Sequence, residues 1–157
     1  MGQLMRAIIA FLVEEGWPFY HTDSPRHLVI PLPETESCSK FIVEAREDLG
    51  QALVFAMART PVPDGKRHSV DFYIGRVNAR CAIGSFDFDV HEGLLAYRTG
   101  IEVGAAALTT DLIRPLFAHG LFAMEKYIPG ILAIMNESAT PGQALEKADS
   151  FAPGFPD

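Results

Sequence analysis

Residues 70–101, VDFYIGRVNARCAIGSFDFDVHEGLLAYRTGI, constrain this chain most, because a helical apolar pattern passes directly into an alternating strand pattern, a turn and a second alternating run. Val70, Ile74, Val77 and Cys81 recur at helical spacing and predict one stripe by which a helix docks. Phe86, Phe88 and Val90 then alternate with Ser85, Asp87 and Asp89, the pattern of a half-buried strand with aromatics inward and carboxylates outward. His91, Glu92 and Gly93 supply the turn. Leu95, Tyr97 and Thr99 alternate with Leu94, Ala96 and Arg98, giving the returning strand of a hairpin. This identifies a structural unit and no reaction.

The flanking elements follow from the same periodicities. Leu4, Ala7, Ile8, Phe11 and Leu12 predict an amphipathic first helix ending at Gly16, a residue suited to the left-handed position after a helix. Three β-rich runs at 19–22, 28–32 and 41–46 precede a fourth at 53–59, with a turn at 47–50. Pro31 and Pro33 remove backbone donors, so the second run is expected to fray or lie on an edge. The breaker PVPDG at 61–65 precedes the central helix. From Leu108 to Met135 the apolar pattern is helical but carries Pro115, Gly120, Pro129 and Gly130. Pro115 is expected in an early turn or at a kink, and Pro129 is expected to divide the segment, because a mid-helix proline loses a hydrogen bond and clashes with the preceding turn. Thr140, Pro141 and Gln143 combine an N-cap, a proline at the first helical position and the glutamine of a capping box. One domain over 1–148 with a flexible tail at 149–157 is expected. Because β and α do not alternate regularly, the fold class is α+β, a largely antiparallel sheet with flanking helices.

Composition narrows the function classes. With 48% hydrophobic and 21% charged residues the chain has the make-up of a globular protein. A net charge of −7 disfavours attraction to phosphate backbones or anionic lipid, so neither nucleic acid nor membrane is an expected partner. Cys38 and Cys81 match neither a disulfide framework nor a CxxC motif. Cys81, on the helical stripe, is read as a buried free thiol and Cys38, in ETESCSK, as the accessible one. The run AIIAFLV after Arg6 is too short and too soon acidic for a signal peptide, no stretch of eighteen apolar residues occurs, and a cytoplasmic protein is expected.

The search for chemistry returns little. Asp87, Asp89, His91 and Glu92 could form a metal or acid–base face, but solvent-facing Asp at alternate positions beside a polar turn is ordinary in a one-sided strand. His21, Asp23 and His27 flank Ser24-Pro25 and read as a turn. Ser69 and Asp71 near His68 point in different directions from one helix and cannot form a relay. Phosphate-loop and GxSxG patterns are lacking, and Gly100 and Gly104 stand alone. Arg76 and Arg80, four apart on the central helix, lie near Lys66 and Arg67 in sequence and could meet Arg98 in a basic recognition patch. Asn78, near the helix end, is read as a structural residue bonding the turn that opens the next strand.

The segment RVNARCAIGSFDFDVHEGLLAYR resembles the helix-to-hairpin signature of the YbjN family, in which a helix ends in Asn, a glycine and a phenylalanine open a strand, and a Gly-containing turn leads to Tyr-Arg. The resemblance extends to the first helix with Gly16 and Trp17, to Pro-Val-Pro at 61–63 and to the run around Tyr127 and Pro129. It implies a fold similar to type III secretion chaperones, compact α+β proteins that usually dimerise and bind extended segments of partner chains; YbjN-type proteins are described as candidate bacterial sensory transduction regulators. The expectation is therefore a non-enzymatic protein-interaction or regulatory domain, chaperone-like, that binds a partner polypeptide and uses no cofactor. A homodimer is expected because Leu112, Ile113, Leu116, Phe117, Leu121, Phe122, Ile128, Ile131, Leu132, Ile134 and Met135 exceed what a small sheet covers. A partner segment would pair with the edge strand at Pro31 and Pro33 and fill apolar pockets, with Arg76, Arg80 and Arg98 at the rim. The alternative is a small-ligand or metal-dependent enzyme using Asp87, Asp89, His91 and Glu92.

Overall fold

The computed structural model describes residues 1–33, 35 and 37–151. Among them the central unit forms as its pattern dictates. Helix α2 (Arg67–Asn78) buries Val70, Tyr73, Ile74 and Val77. Strands β5 (Ser85–Asp89) and β6 (Leu94–Glu102) pair antiparallel, with Phe86 opposite Tyr97. Their rings meet edge to face at 4.8 Å, an arrangement that adds to simple burial. Cys81 lies beyond the last turn of α2, not on its stripe, and is half-exposed.

Before this unit come helix α1 (Gln3–Glu14) and strands β1 (Tyr20–His21), β2 (His27–Pro31), β3 (Cys38–Arg46) and β4 (Gln51–Ala58). After it come helices α3 (Thr110–Met135) and α4 (Pro141–Asp149). The strands make one sheet in the order β1-β2-β3-β4-β6-β5, every neighbouring pair antiparallel. This is the α+β architecture expected, a largely antiparallel sheet with flanking helices.

Because side chains alternate along a strand, each strand gives one set of residues to the core. Leu28 and Ile30, Phe41 and Val43, Val54 and Ala56, Phe86, Tyr97 and Thr99 share one face, and the helices pack on it. Helix α1 lies against β3, α3 crosses β4 and β6, α2 abuts β5, and α4 packs on α2 and α3. Phe117 of α3 stacks on Phe11 at 5.7 Å and takes the edges of Trp17 and Phe41. Helix α1 ends where Gly16 adopts φ +70°: the N–H groups of Trp17 and Gly16 bond back to Leu12 and Val13 carbonyls, a Schellman closure. At its start the Glu47 carboxylate accepts from the Leu4 and Met5 N–H groups, placing an anion at the positive end of the helix.

Proline does not divide the C-terminal segment. Helix α3 runs unbroken for 26 residues with both Pro115 and Pro129 inside it. Both prolines sit on its exposed side, so the carbonyls they leave without an intrahelical donor, those of Asp111 and Glu125, face water, which can satisfy them. On the buried side, carbonyls gain donors instead. Tyr73 Oη donates to the Tyr127 carbonyl at 3.1 Å and Thr99 Oγ1 to that of Leu116 at 2.7 Å. The capping box of α4 forms between Thr140 and Gln143. Most of the C-terminal apolar residues are consumed within one chain: Ile113, Leu116, Phe117, Ile128, Ile131 and Ile134 are buried. Leu112 and Phe122 stay exposed, so only part of the surplus that motivated a homodimer remains on this layer. Among the described residues no helix is long and apolar enough to cross a membrane. Of the expected tail, residues 152–157 lie outside the described ones.

Candidate docking surface

The sheet face opposite the helices is the feature that lacks a structural explanation. Strand register arranges it in rows. Val29, Ile42, Phe55, Arg98 and Ser85 form one; Lys40, Met57, Ala96 and Asp87 form the next. Val29, Ile42, Phe55 and Met57 are half-buried yet belong to no part of the core, and Leu94 at the adjoining end is 49% exposed. Leu53 lies over Gly100, where a Cβ would come within 2.6 Å of its Cδ2. A shallow depression of about 540 Å³ runs here, with His27, Ile42, Glu44, Phe55, Met57, Asp87 and Ala96 in its lining. Half-buried apolar side chains gathered in adjoining rows, with Leu94 exposed beside them, suit an interaction site.

Charged groups frame it. Arg98 pairs with Asp87 at 2.8 Å, and Arg46 pairs with Glu44 at 2.8 Å, holding the Glu44 carboxyl below its usual range. Arg98 thus belongs to the open face, while Arg76 and Arg80 belong to the helical side. Arg76 covers the Phe72 ring and Arg80 pairs with Asp149 at 3.0 Å. The structure does not bring the three arginines into one patch. Lys66 pairs with Glu137, and Arg67 donates to the carbonyls of Val62, Val90 and His91, pinning the hairpin turn to the 61–63 segment.

Two features blunt the outward sides of β5 and β2 against strand addition, the docking mode expected from the sequence. On β5, Asn78 Nδ2 donates to the Phe86 carbonyl at 3.0 Å and Asn78 Oδ1 accepts the Phe86 N–H at 2.7 Å. The side-chain amide thus occupies the outward backbone groups of Phe86, which a new strand would otherwise pair. On β2 the Leu32 N–H and the Arg26 carbonyl point to β3, so by alternation the backbone of position 31 points outward. Proline there offers no donor, a common way of blunting an edge. Pro31 thus blunts the outward side of β2 beyond the two-residue β1.

The acidic constellation is structural in the same sense. Asp89 Oδ1 accepts the N–H groups of Glu92 and His91, and these bonds lower its pKa. Asp89 is therefore a turn cap and not merely a solvated carboxylate. The turn at 22–26 is tied by the Thr22 and Ser24 hydroxyls, and His27 lies on the open face. Among the described residues no three His, Cys, Asp or Glu side chains are placed to hold a metal ion, and no buried side-chain polar atom lacks a partner. The cysteine assignments change: Cys81 is half-exposed and Cys38 is buried, because a register shift between Cys38 and Lys40 turns it inward out of phase with Phe41 and Val43, and burial raises its thiol pKa.

No family model matches this chain. No curated protein matches it either. Its fold is shared with solved structures. YbjN from E. coli, a proposed transcription regulator, aligns with a TM-score of 0.59 at 12% identity, covering 85% of this chain and 90% of its own. A chain of the ExsC–ExsE complex aligns at 0.53 and 19% identity, covering 81% of this chain and 94% of its own. An uncharacterized protein from Methanothermobacter thermautotrophicus aligns at 0.54 and 19%, covering 88% and 99%. The YbjN-like fold implied by the sequence resemblance is the fold of this chain.

Proposed function

We propose that this protein is a non-enzymatic interaction or regulatory domain, chaperone-like in architecture, which acts by binding polypeptide on the helix-free face of its sheet. The carrying observation is that face: Val29, Ile42, Phe55 and Met57 stand outside the core and are only half-buried, while Asn78 and Pro31 blunt the outward sides of β5 and β2. Arg98 and Asp87 supply a charged rim that orients a partner, and Arg76 and Arg80, committed to Phe72 and Asp149, stand outside this reading. A fold shared with a chain of the ExsC–ExsE complex supports a protein partner over a small substrate. Two free cysteines fit a reducing compartment, in keeping with a cytoplasmic site of action.

The test compares polypeptides retained by the wild-type protein with those retained by Phe55→Asp and by Arg76→Ala/Arg80→Ala. Loss with the first and retention with the second is expected. Equal retention by all three would refute the face, and turnover of a small molecule abolished by His91→Ala or Glu92→Ala would refute the function.

A further inference from the structure

We infer that the open sheet face takes an amphipathic helix of a partner chain, apolar along its middle and carrying Lys or Arg at both ends of that stripe. This rests on the reading that the face binds polypeptide, and it names the chemistry of that polypeptide. Strand β4 is apolar on both sides: Ala52, Val54 and Ala56 face the helices, and Leu53, Phe55 and Met57 face away. A strand with one wet side alternates, as β5 does with Ser85, Asp87 and Asp89 outward, so the outward half of β4 calls for a cover. Backbone accounting makes that cover a helix. Strands β3, β4 and β6 each pair with a neighbour on both sides, and Asn78 and Pro31 blunt the outward sides of β5 and β2. A segment laid over the apolar face must satisfy its own N–H and carbonyl groups, which an α-helix does internally. Helices cover the other face of the same sheet.

Charge selects the ends of that helix. The charged side chains lining the depression are Glu44, Asp87 and Asp89, and among the described residues no lysine or arginine lines it. Arg46 and Arg98 hold Glu44 and Asp87 from outside the lining. Asp89 spends Oδ1 on the N–H groups of His91 and Glu92, which leaves Oδ2 for an incoming cation. The bonds that position Glu44 and Asp89 also hold both carboxyls below their usual range, so they stay ionised at neutral pH. A chain carrying −7 attracts a basic segment and repels an acidic one before contact.

The register then sets the length and direction of the stripe. Glu44 stands beside Leu53 and Asp87 beside Ala96, three strand spacings across and four residues along, which puts their Cα atoms about 20 Å apart. Lys40, exposed on β3 in the row of Asp87, takes another corner of the face outside the lining, so the acids mark one diagonal. On a helix, positions i and i+11 fall on nearly the same side and lie about 16 Å apart. The aliphatic stems of Lys or Arg close the remaining distance along apolar surface. Between the two cations the apolar stripe rests on Phe55, Met57 and Ala96, the last being the smallest residue of the lining.

The experiment follows the fluorescence anisotropy of three labelled synthetic helices of about 16 residues that share one leucine stripe and carry Lys, Gln or Glu at its two ends. The wild-type protein is expected to bind the Lys helix about tenfold more tightly than the Gln helix and the Glu helix most weakly, with the ranking compressed at about 0.5 M salt. Glu44→Gln/Asp89→Asn keeps the oxygens that accept from Arg46 and from the turn N–H groups but removes both charges. It should bring the Lys helix within about twofold of the Gln helix and leave the Gln helix unchanged, a split that loss of structure cannot produce. Ala96→Ile fills the depression and should weaken all three helices at least about tenfold, with unchanged far-UV circular dichroism confirming that both variants fold. Equal affinity for the three helices, or a ranking that survives Glu44→Gln/Asp89→Asn, overturns the basic partner. Failure of every helix to bind at about 100 μM overturns the inference: if polypeptide is still retained through Phe55 the reading of the face stands, and if none is retained that reading falls too. A wild-type oligomer broken by Ala96→Ile, with no helix bound, assigns the face to a second copy of the chain and overturns the inference as well.

Discussion

Asn78→Ala tests the joint between α2 and β5. The substitution deletes one donor and one acceptor that together pair both backbone groups of Phe86, at 3.0 and 2.7 Å. Each bond contributes about 1 kcal/mol net, and stranding a half-buried N–H and carbonyl adds a partial desolvation cost, so a loss of about 2–3 kcal/mol is expected. For a domain of this size each kcal/mol moves the melting midpoint by about 2–4 °C, which predicts a fall of roughly 4–12 °C. Differential scanning calorimetry reads the shift, and urea unfolding at unchanged m-value confirms that the native state is the one destabilised. The same substitution frees the outward edge of β5, so light scattering during the melt should rise earlier than in the wild-type protein. A midpoint within about 1 °C of wild type would show that water replaces the amide at no cost and would refute the clamp.

Other substitutions probe the core and the turn. Gly130→Ala should destabilise by about 1–3 kcal/mol in urea unfolding, against the usual gain from alanine in a helix, because a Cβ would stand 2.5 Å from the Oη of the immobile Tyr73. Adding Tyr73→Phe should recover part of that loss by removing the nearest atom, and no recovery would count against the clash. In the native protein a thiol reagent should modify Cys81 first and Cys38 at the rate of unfolding, with comparable rates contradicting the burial of Cys38. Accepting two N–H bonds depresses the folded pKa of Asp89, so its contribution to stability is present above the unfolded carboxylate pKa and is lost as pH falls through the folded value. The difference in midpoint between wild type and Asp89→Ala should therefore shrink on acidification below about pH 4, and a pH-independent difference would assign the effect to something other than the carboxylate.

Local rules made much of the fold readable. The Thr140–Gln143 capping box, the Gly16 closure, the pairing of Phe86 with Tyr97, and the bond from Asn78 to the opening of β5 each depend on residues no more than eleven positions apart, and each forms. What failed depended on direction in three dimensions. Pro129 looks like a breaker until the exposed side of α3 is known, and Cys38 looks accessible until the register shift at the start of β3 is known. Pro31 weakens a strand on either reading, but only the register shows that its missing N–H faces outward.

The same blindness displaced the surplus apolar surface from one layer to the other. A helix such as α3 shows its apolar residues conspicuously, because the 3.6-residue period groups them into a stripe. They looked excessive because nothing local gives the width of the sheet beneath. β1 and β2 widen that sheet to six strands, and α4 closes the rest of the stripe. In β4, by contrast, the run ALVFAMA hides its outward half: Leu53, Phe55 and Met57 look like core because Ala52, Val54 and Ala56 are core. An unbroken apolar run in an antiparallel sheet is thus evidence of a second covering layer. The helices supply one layer, and the polypeptide proposed for the open face would supply the other.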